Sequence, residues 1–257
     1  MKVRAGGILL QSEPYACVLY PEYRDVLCSW CMQECGKRER CPECGTAVYC
    51  SRSCMLQDVL HGLECGLLAG SGAQPGTDTA WLLMRVWLRF RHEVDGEGGP
   101  HGEEVPGRKH KRTFADFFSH ERDLRKDEKK MGHIARHYRD LEDILVDQMP
   151  TFDEFVELYG KVVINNFELR QSGSGESYGM ALYLAPSIVD HSCQPNACVV
   201  IVGKMLVMRS SMDMERVEMD KVFFSYINTE AEFVERQNYL RKYFFFTCAC
   251  QKCKDMM

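Results

Sequence analysis

The chain has 257 residues, 45% hydrophobic and 27% charged, with a formal net charge of -5. That composition suits a globular chain with a real apolar core, and no run approaches the roughly 18 uncharged apolar residues of a membrane span. The acidic balance gives no global electrostatic reason to expect nucleic-acid binding. Its 14 cysteines, with no continuous apolar secretion signal at the N-terminus, point to metal binding in a reducing, intracellular setting.

Residues 1–27 read as short strands, with Ile8, Leu9 and Leu10 ahead of a turn at Pro14. A cysteine-dense stretch over 28–65 is followed by the flexible patch Gly70-Ser71-Gly72-Ala73-Gln74-Pro75-Gly76. Residues 80–94 place Leu83, Val86, Trp87 and Phe90 on one face of an amphipathic helix. The Gly/Glu-rich stretch 95–107 reads as a mobile loop. The basic run Arg108-Lys109-His110-Lys111-Arg112 reads as a solvated loop rather than a localisation signal or phosphate patch. Helical periodicity returns over 113–149, where 122–130 reads as a solvated helix face. Thr151-Phe152-Asp153-Glu154 then forms a capping box that opens another helix.

Past Gly160 the texture turns to runs rich in Val, Ile and Phe: 162–169, 197–202, 205–210 and 222–227. Gly203-Lys204 supplies a hairpin turn, and Gly173-Ser174-Gly175 reads as a hairpin loop rather than a nucleotide-binding glycine motif. A helix over about 230–242 precedes a second cysteine cluster. The expected class is α+β, with a β-rich body, a helical insert and two metal knots.

The ladder reads Cys28-x2-Cys31, Cys41-x2-Cys44, Cys50-x3-Cys54 and His61-x3-Cys65. Each pair can grip one edge of a tetrahedral Zn2+, and two pairs complete a site. Two sites so filled have no open position for substrate, so these metals are expected to be structural and to supply much of the module's folding free energy. Cys35 stands outside the pattern as a free thiol. At the other end, Cys248-x-Cys250-x2-Cys253 offers three ligands. Cys193 is the expected fourth, and Cys198 is a weaker alternative that should point into the core.

The ladder's order and spacing resemble the MYND zinc finger. Asp190-His191-Ser192-Cys193-Gln194-Pro195-Asn196 is similar to the NHSCxPN motif of SET-domain lysine methyltransferases. Phe224-Ser225-Tyr226-Ile227 looks like their SYI strand, and the C-terminal cysteines like a post-SET zinc motif. A SET domain split by a MYND finger is the arrangement of the SMYD family, and the resemblance covers nearly the whole chain. It implies a β-rich SET fold begun in 1–27, a finger over 28–65, a helical insert over 66–160, a SET core over 161–246 and a post-SET knot over 247–257.

The resemblance also implies chemistry. Cys28, Cys31, Cys50 and Cys54 would share one zinc, and Cys41, Cys44, His61 and Cys65 another. Cys193, Cys248, Cys250 and Cys253 would hold the third. S-adenosylmethionine would be the methyl donor, contacted by Asn165, Asp190, His191, Tyr226 and Phe246. Tyr226 would act as the catalytic tyrosine. The implied partners are a histone or other protein carrying the lysine, proline-containing peptides at the finger, and chromatin, in cytoplasm and nucleus, with no membrane. The alternative is a weakly active or inactive adaptor working in transcription through protein binding. Asp190 stands where the motif usually has Asn, and Phe244, with Tyr243 one place earlier, stands where the family often has a second tyrosine. The family's GxG segment and C-terminal helical domain lie outside this sequence, which therefore reads as an incomplete gene model, a short isoform or a divergent member.

Overall fold

The computed structural model describes residues 2–96, 101–171 and 173–256. Strands β1 (Ile8–Ser12) and β2 (Ala16–Leu19) precede the cysteine ladder. The ladder itself contains β3 (Glu39–Arg40), β4 (Val48–Tyr49), α1 (Arg52–Gln57) and the start of α2 (Val59–Ser71). Helices α3 (Asp78–Val94), α4 (Glu121–Leu124), α5 (Glu128–Leu145) and α6 (Phe152–Asn165) follow. Next come β5 (Asn166–Arg170), β6 (Ser177–Leu182), β7 (Asp190–His191), β8 (Ala197–Val202), β9 (Met205–Ser210) and β10 (Phe223–Phe224). The chain closes with α7 (Phe233–Phe244) and α8 (Gln251–Lys254). The class is α+β, as expected.

Two compact units emerge. The finger unit comprises Pro14–His101 and Phe118–Leu182, and the tail unit comprises Met1–Glu13, Gly102–Phe117 and Tyr183–Met257.

In the finger unit, β2, β6 and β5 form an antiparallel sheet with β6 in the middle. Gly179 on β6 lets β2 come close: a Cβ there would sit 2.3 Å from the Val18 carbonyl oxygen. Helix α3 packs on β2. Every residue from Ala80 to Leu88 is buried, a wider buried surface than the expected face, and Phe90 at its end is only half-buried. Two arginines four residues apart on α3 reach the backbone next to it, Arg85 Nη1 donating to the Cys17 carbonyl and Arg89 Nη1 to that of Tyr15, each at 2.5 Å. These bonds tie α3 to the chain at β2.

Helix α6 opens on the expected capping box, with Glu154 N–H donating to Thr151 Oγ1 and Thr151 N–H to Glu154 Oε2. It then runs through Asn165, so the strand expected over 162–169 begins only at Asn166. Val162 is buried on the helix face, and that packing overrides the strand preference of Val162-Val163-Ile164. The charged run 122–130 is broken rather than one helical face: α4 ends at Leu124, and Asp127 caps α5. Of the loop expected over 95–107, residues 97–100 lie outside the described residues.

The tail unit is built on an antiparallel sheet in the order β1-β9-β8, and the β8–β9 hairpin turns at Gly203 with φ of 58°. A short parallel pair joins β10 to β7, setting Phe223 opposite Asp190 and Phe224 opposite His191. The strand expected over 222–227 is thus only two residues long. Past Phe224 the Tyr226 N–H goes to the His191 ring instead of a strand ladder. The helix expected at 230–242 starts and ends later, at Phe233–Phe244. Cys198 is exposed, not in the core: it follows buried Ala197 on β8, and strand alternation turns it outward. Among the described residues, no helix is long and apolar enough to cross a membrane.

Candidate functional site

The finger unit gathers the ladder into two groups, Cys28 with Cys31, Cys50 and Cys54, and Cys41 with Cys44, His61 and Cys65. Within each group the ligand atoms lie within 4.8 Å of one another. The Cys31–Cys50, Cys50–Cys54 and Cys41–Cys65 sulfurs are 3.7, 3.5 and 3.5 Å apart. A tetrahedral Zn2+ with bonds of about 2.3 Å needs sulfurs about 3.8 Å apart, so both groups fit zinc. The strand pair β3–β4 and the Ser51-capped helix α1 hold these cysteines in place. Cys35 is buried but belongs to neither group.

Electrostatics agree with a bound cation. Burial pushes the Cys41 thiol up, but the Cys44 N–H, His61, the Glu43 N–H and Cys65 outweigh it and bring the thiol down to about 6. Burial and the Cys41 sulfur push Cys65 well above the ordinary thiol range. One thiolate therefore suppresses the next, and a cation at the centre favours all three thiolates beside a neutral imidazole.

Behind His61 stands a buried relay that sequence reasoning missed. Glu64 is fully buried; its Oε1 lies 3.2 Å from His61 Nδ1 and accepts from Arg85 Nη2 at 2.5 Å. Its Oε2 accepts from Trp81 Nε1 and Arg85 Nε, each at 2.9 Å. Burial would raise the Glu64 carboxyl, but Arg85, His61 and Trp81 hold it down at about 2. The carboxylate fixes the proton on Nδ1 and leaves Nε2, 3.5 Å from the Cys44 sulfur, as the ligating nitrogen. The missed signal was the three-residue spacing of His61 and Glu64, which shares a helix face.

In the tail unit Cys193, Cys248, Cys250 and Cys253 converge in the same way, with the Cys193 sulfur 3.9 Å from Cys248 and 3.6 Å from Cys253. Gln237 on α7 clamps Cys248, donating Nε2 to its carbonyl at 2.9 Å and accepting its N–H at 3.0 Å. Burial raises the Cys193 thiol to about 12 with help from Cys253, while Arg236 opposes the rise. Cys250 is brought down to about 6 against burial by the Cys253 N–H, the Cys248 thiol and the Cys193 N–H. This donor set also fits zinc.

Beside that knot lies a cluster of rings. Tyr226 N–H donates to His191 Nδ1 at 3.0 Å, so Nε2 carries the imidazole proton and faces the Cys193 sulfur at 3.3 Å. The Tyr226 ring centroid lies 5.3 Å from His191, 4.9 Å from Phe224, 5.0 Å from Phe244 and 6.5 Å from Phe246. Its hydroxyl donates to the Val189 carbonyl at 2.8 Å, and burial, then the Asp190 charge, raise its pKa and keep it protonated. His191 and Phe246 also line a cleft of about 450 Å3 together with Gln194, Phe223, Thr247 and Gln251. That volume is within the range of small-molecule sites.

Of the other expected site residues, Asp190 is exposed at the start of β7. Phe244 faces Tyr226, whereas Tyr243 is exposed and lies against Tyr239 at 4.5 Å. Asn165 belongs to the finger unit, where its Nδ2 donates to the Lys161 carbonyl in the last turn of α6.

No family model matches the chain. Among curated proteins, "Histone-lysine N-methyltransferase SMYD3" of Mus musculus is 28% identical over 257 residues, 98% of this chain and 57% of the relative. The chain is similar to a SMYD protein over nearly its whole length. "N-lysine methyltransferase SMYD2" of the same organism is also 28% identical, covering 96% of this chain and 55% of the relative. "SET domain and MYND-type zinc finger protein 6" of Schizosaccharomyces pombe is 29% identical, covering 89% of this chain and 43% of the relative. The chain thus spans about half the length of the SMYD relatives it matches.

Proposed function

We propose that this chain carries the centre of an S-adenosylmethionine-dependent protein-lysine N-methyltransferase, with a MYND finger inserted in its SET domain. The observation that carries the reading is that His191 and Phe246 belong both to the ring cluster around Tyr226 and to the wall of the 450 Å3 cleft. The SMYD relatives, named as histone-lysine and N-lysine methyltransferases, supply the reaction class.

Bound S-adenosylmethionine supplies an electrophilic methyl on a sulfonium cation. What the protein must add is a neutral lysine amine held in line with that methyl, away from water. The faces of Tyr226, Phe244 and Phe246 suit both tasks, since rings exclude water, lower the cost of an uncharged amine and attract cations. His191 and Phe246 would contact the cofactor with Asp190 and Tyr226 of the same unit. Tyr226, whose protonated hydroxyl donates to a carbonyl here, would orient the amine. The three cysteine-rich groups would hold structural zinc. The finger over 28–65 would recruit proline-containing peptides, and the substrate would be a lysine of a histone or another protein, in nucleus or cytoplasm.

Calorimetric titration of the zinc-loaded chain with S-adenosylmethionine tests the reading. Binding is expected, and its absence would overturn it. Tyr226→Phe should keep cofactor binding and lose methyl transfer, and a variant with undiminished transfer would remove Tyr226 from the catalytic role.

A further inference from the structure

Helix α7 carries Arg236 inward, where it is 2% exposed. Among the described residues no carboxylate pairs with it, and its Nε is a buried donor without any hydrogen-bond partner. Nη1 donates to the Ala231 carbonyl, while Nη2 lies 3.5 Å from the Met256 sulfur and 4.0 Å from the Cys253 sulfur. A permanently charged group so buried, with no counter-anion, is strongly unfavourable. Among the described residues, the potential anions set against it are the thiols of Cys253 and Cys193.

We propose that Arg236 is the counter-charge of the metal knot formed by Cys193, Cys248, Cys250 and Cys253, and that it governs how tightly this one zinc is held. Four thiolates around Zn2+ carry a net charge of -2, from +2 and four times -1, so a guanidinium against their outer surface halves the charge the tail unit must bury. Arg236 is thus a positioning residue acting through its charge on the ligands. The other tetrathiolate, of Cys28, Cys31, Cys50 and Cys54, manages differently: three of its four cysteines are partly exposed to water, and N–H groups of Cys31, Cys50 and Trp30 point at the Cys28 sulfur. The inference rests on zinc binding by the tail knot and not on the methyl-transfer reading.

The test follows zinc leaving the full zinc-loaded chain under a chelator, with alkylation of the freed cysteines and mass spectrometry to show which group opened. The wild-type chain should release its tail zinc slowly. Arg236→Met, which keeps the bulk and removes the charge, should release it at least about tenfold faster, as loss of a partner behind metal ligands typically does. The two finger groups should be unchanged. Arg236→Lys should restore slow release, because the charge is kept. If the methionine variant releases the tail zinc at the wild-type rate, the arginine is mere packing and the proposal fails. Should the methionine variant lose all its zinc at once through unfolding, the lysine variant decides. Slow release from it upholds charge compensation; fast release shows that charge is not what holds the metal. A wild-type chain with no zinc on Cys193 and the three tail cysteines also overturns the proposal, without touching cofactor binding at the cleft.

Discussion

His61 and His191 each present Nε2 to a cysteine sulfur, at 3.5 Å from Cys44 and 3.3 Å from Cys193, yet the structure makes them opposite kinds of group. Behind His61 is an acceptor, the Glu64 carboxylate, which takes the ring proton on Nδ1 and frees Nε2 to ligate. Behind His191 is a donor, the Tyr226 N–H, which requires a lone pair on Nδ1 and so puts the proton on Nε2. His61 can therefore serve as one of four ligands, whereas His191 can only donate to a group already supplied with four cysteines. Whether a histidine beside a thiol cluster binds metal is decided on the far side of its ring.

The largest consequence is in zinc content. His61→Ala removes a ligand and should cost one zinc of three, since structural zinc in small fingers is worth about 10–16 kcal/mol of folding free energy at pH 7. His191→Ala leaves every group its four ligands and should keep all three. Elemental analysis of the two purified variants compares them directly, and an equal loss from both would erase the distinction between the histidines.

Next in size is the carboxylate behind His61. Glu64→Ala leaves Arg85 buried without its counter-charge and should destabilise the finger unit by about 3–5 kcal/mol. Urea unfolding measures this, and a change below about 1 kcal/mol would mean that the relay does not brace the ligand. The zinc shared by Cys41, Cys44, His61 and Cys65 should also leave faster than its neighbour, which has no histidine to orient.

Much of this contrast was legible in the sequence, but not its deciding atoms. The cysteine pairs announce themselves because ligand spacing is local: Cys28-x2-Cys31 or Cys248-x-Cys250 needs only a turn to grip an edge. The α6 capping box and the β8–β9 hairpin were readable for the same reason. Strand length at 222–227 was not, because the Tyr226 N–H is diverted to a ring 35 residues away. Cys198 was misplaced because an apolar run leaves open which face of the strand is inside, and only pairing with β9 settles it. An arginine amid Trp81, Leu82, Leu83, Met84 and Val86 does hint at a buried partner, and Arg85 has one. Arg236 offered no such hint, because it sits in the polar run Glu235-Arg236-Gln237-Asn238, and Cys253 and Met256 of the returning tail lie against it.

The smallest effect separates the two bonds of Tyr226. Its backbone N–H holds the His191 tautomer, while its hydroxyl only donates to the Val189 carbonyl. Tyr226→Phe removes the second bond and keeps the first, so it should cost no more than about 0.5–1.5 kcal/mol. Zinc content should stay at the wild-type level, because His191 still meets Cys193 as a donor. His191→Phe makes the complementary change, leaving the part-buried Tyr226 N–H without this acceptor, and should cost about 1–3 kcal/mol. Thermal unfolding of the pair ranks them. If Tyr226→Phe proves the more damaging, the hydroxyl rather than the amide ties this segment down, and His191 loses its place as the link between the ring cluster and the metal knot.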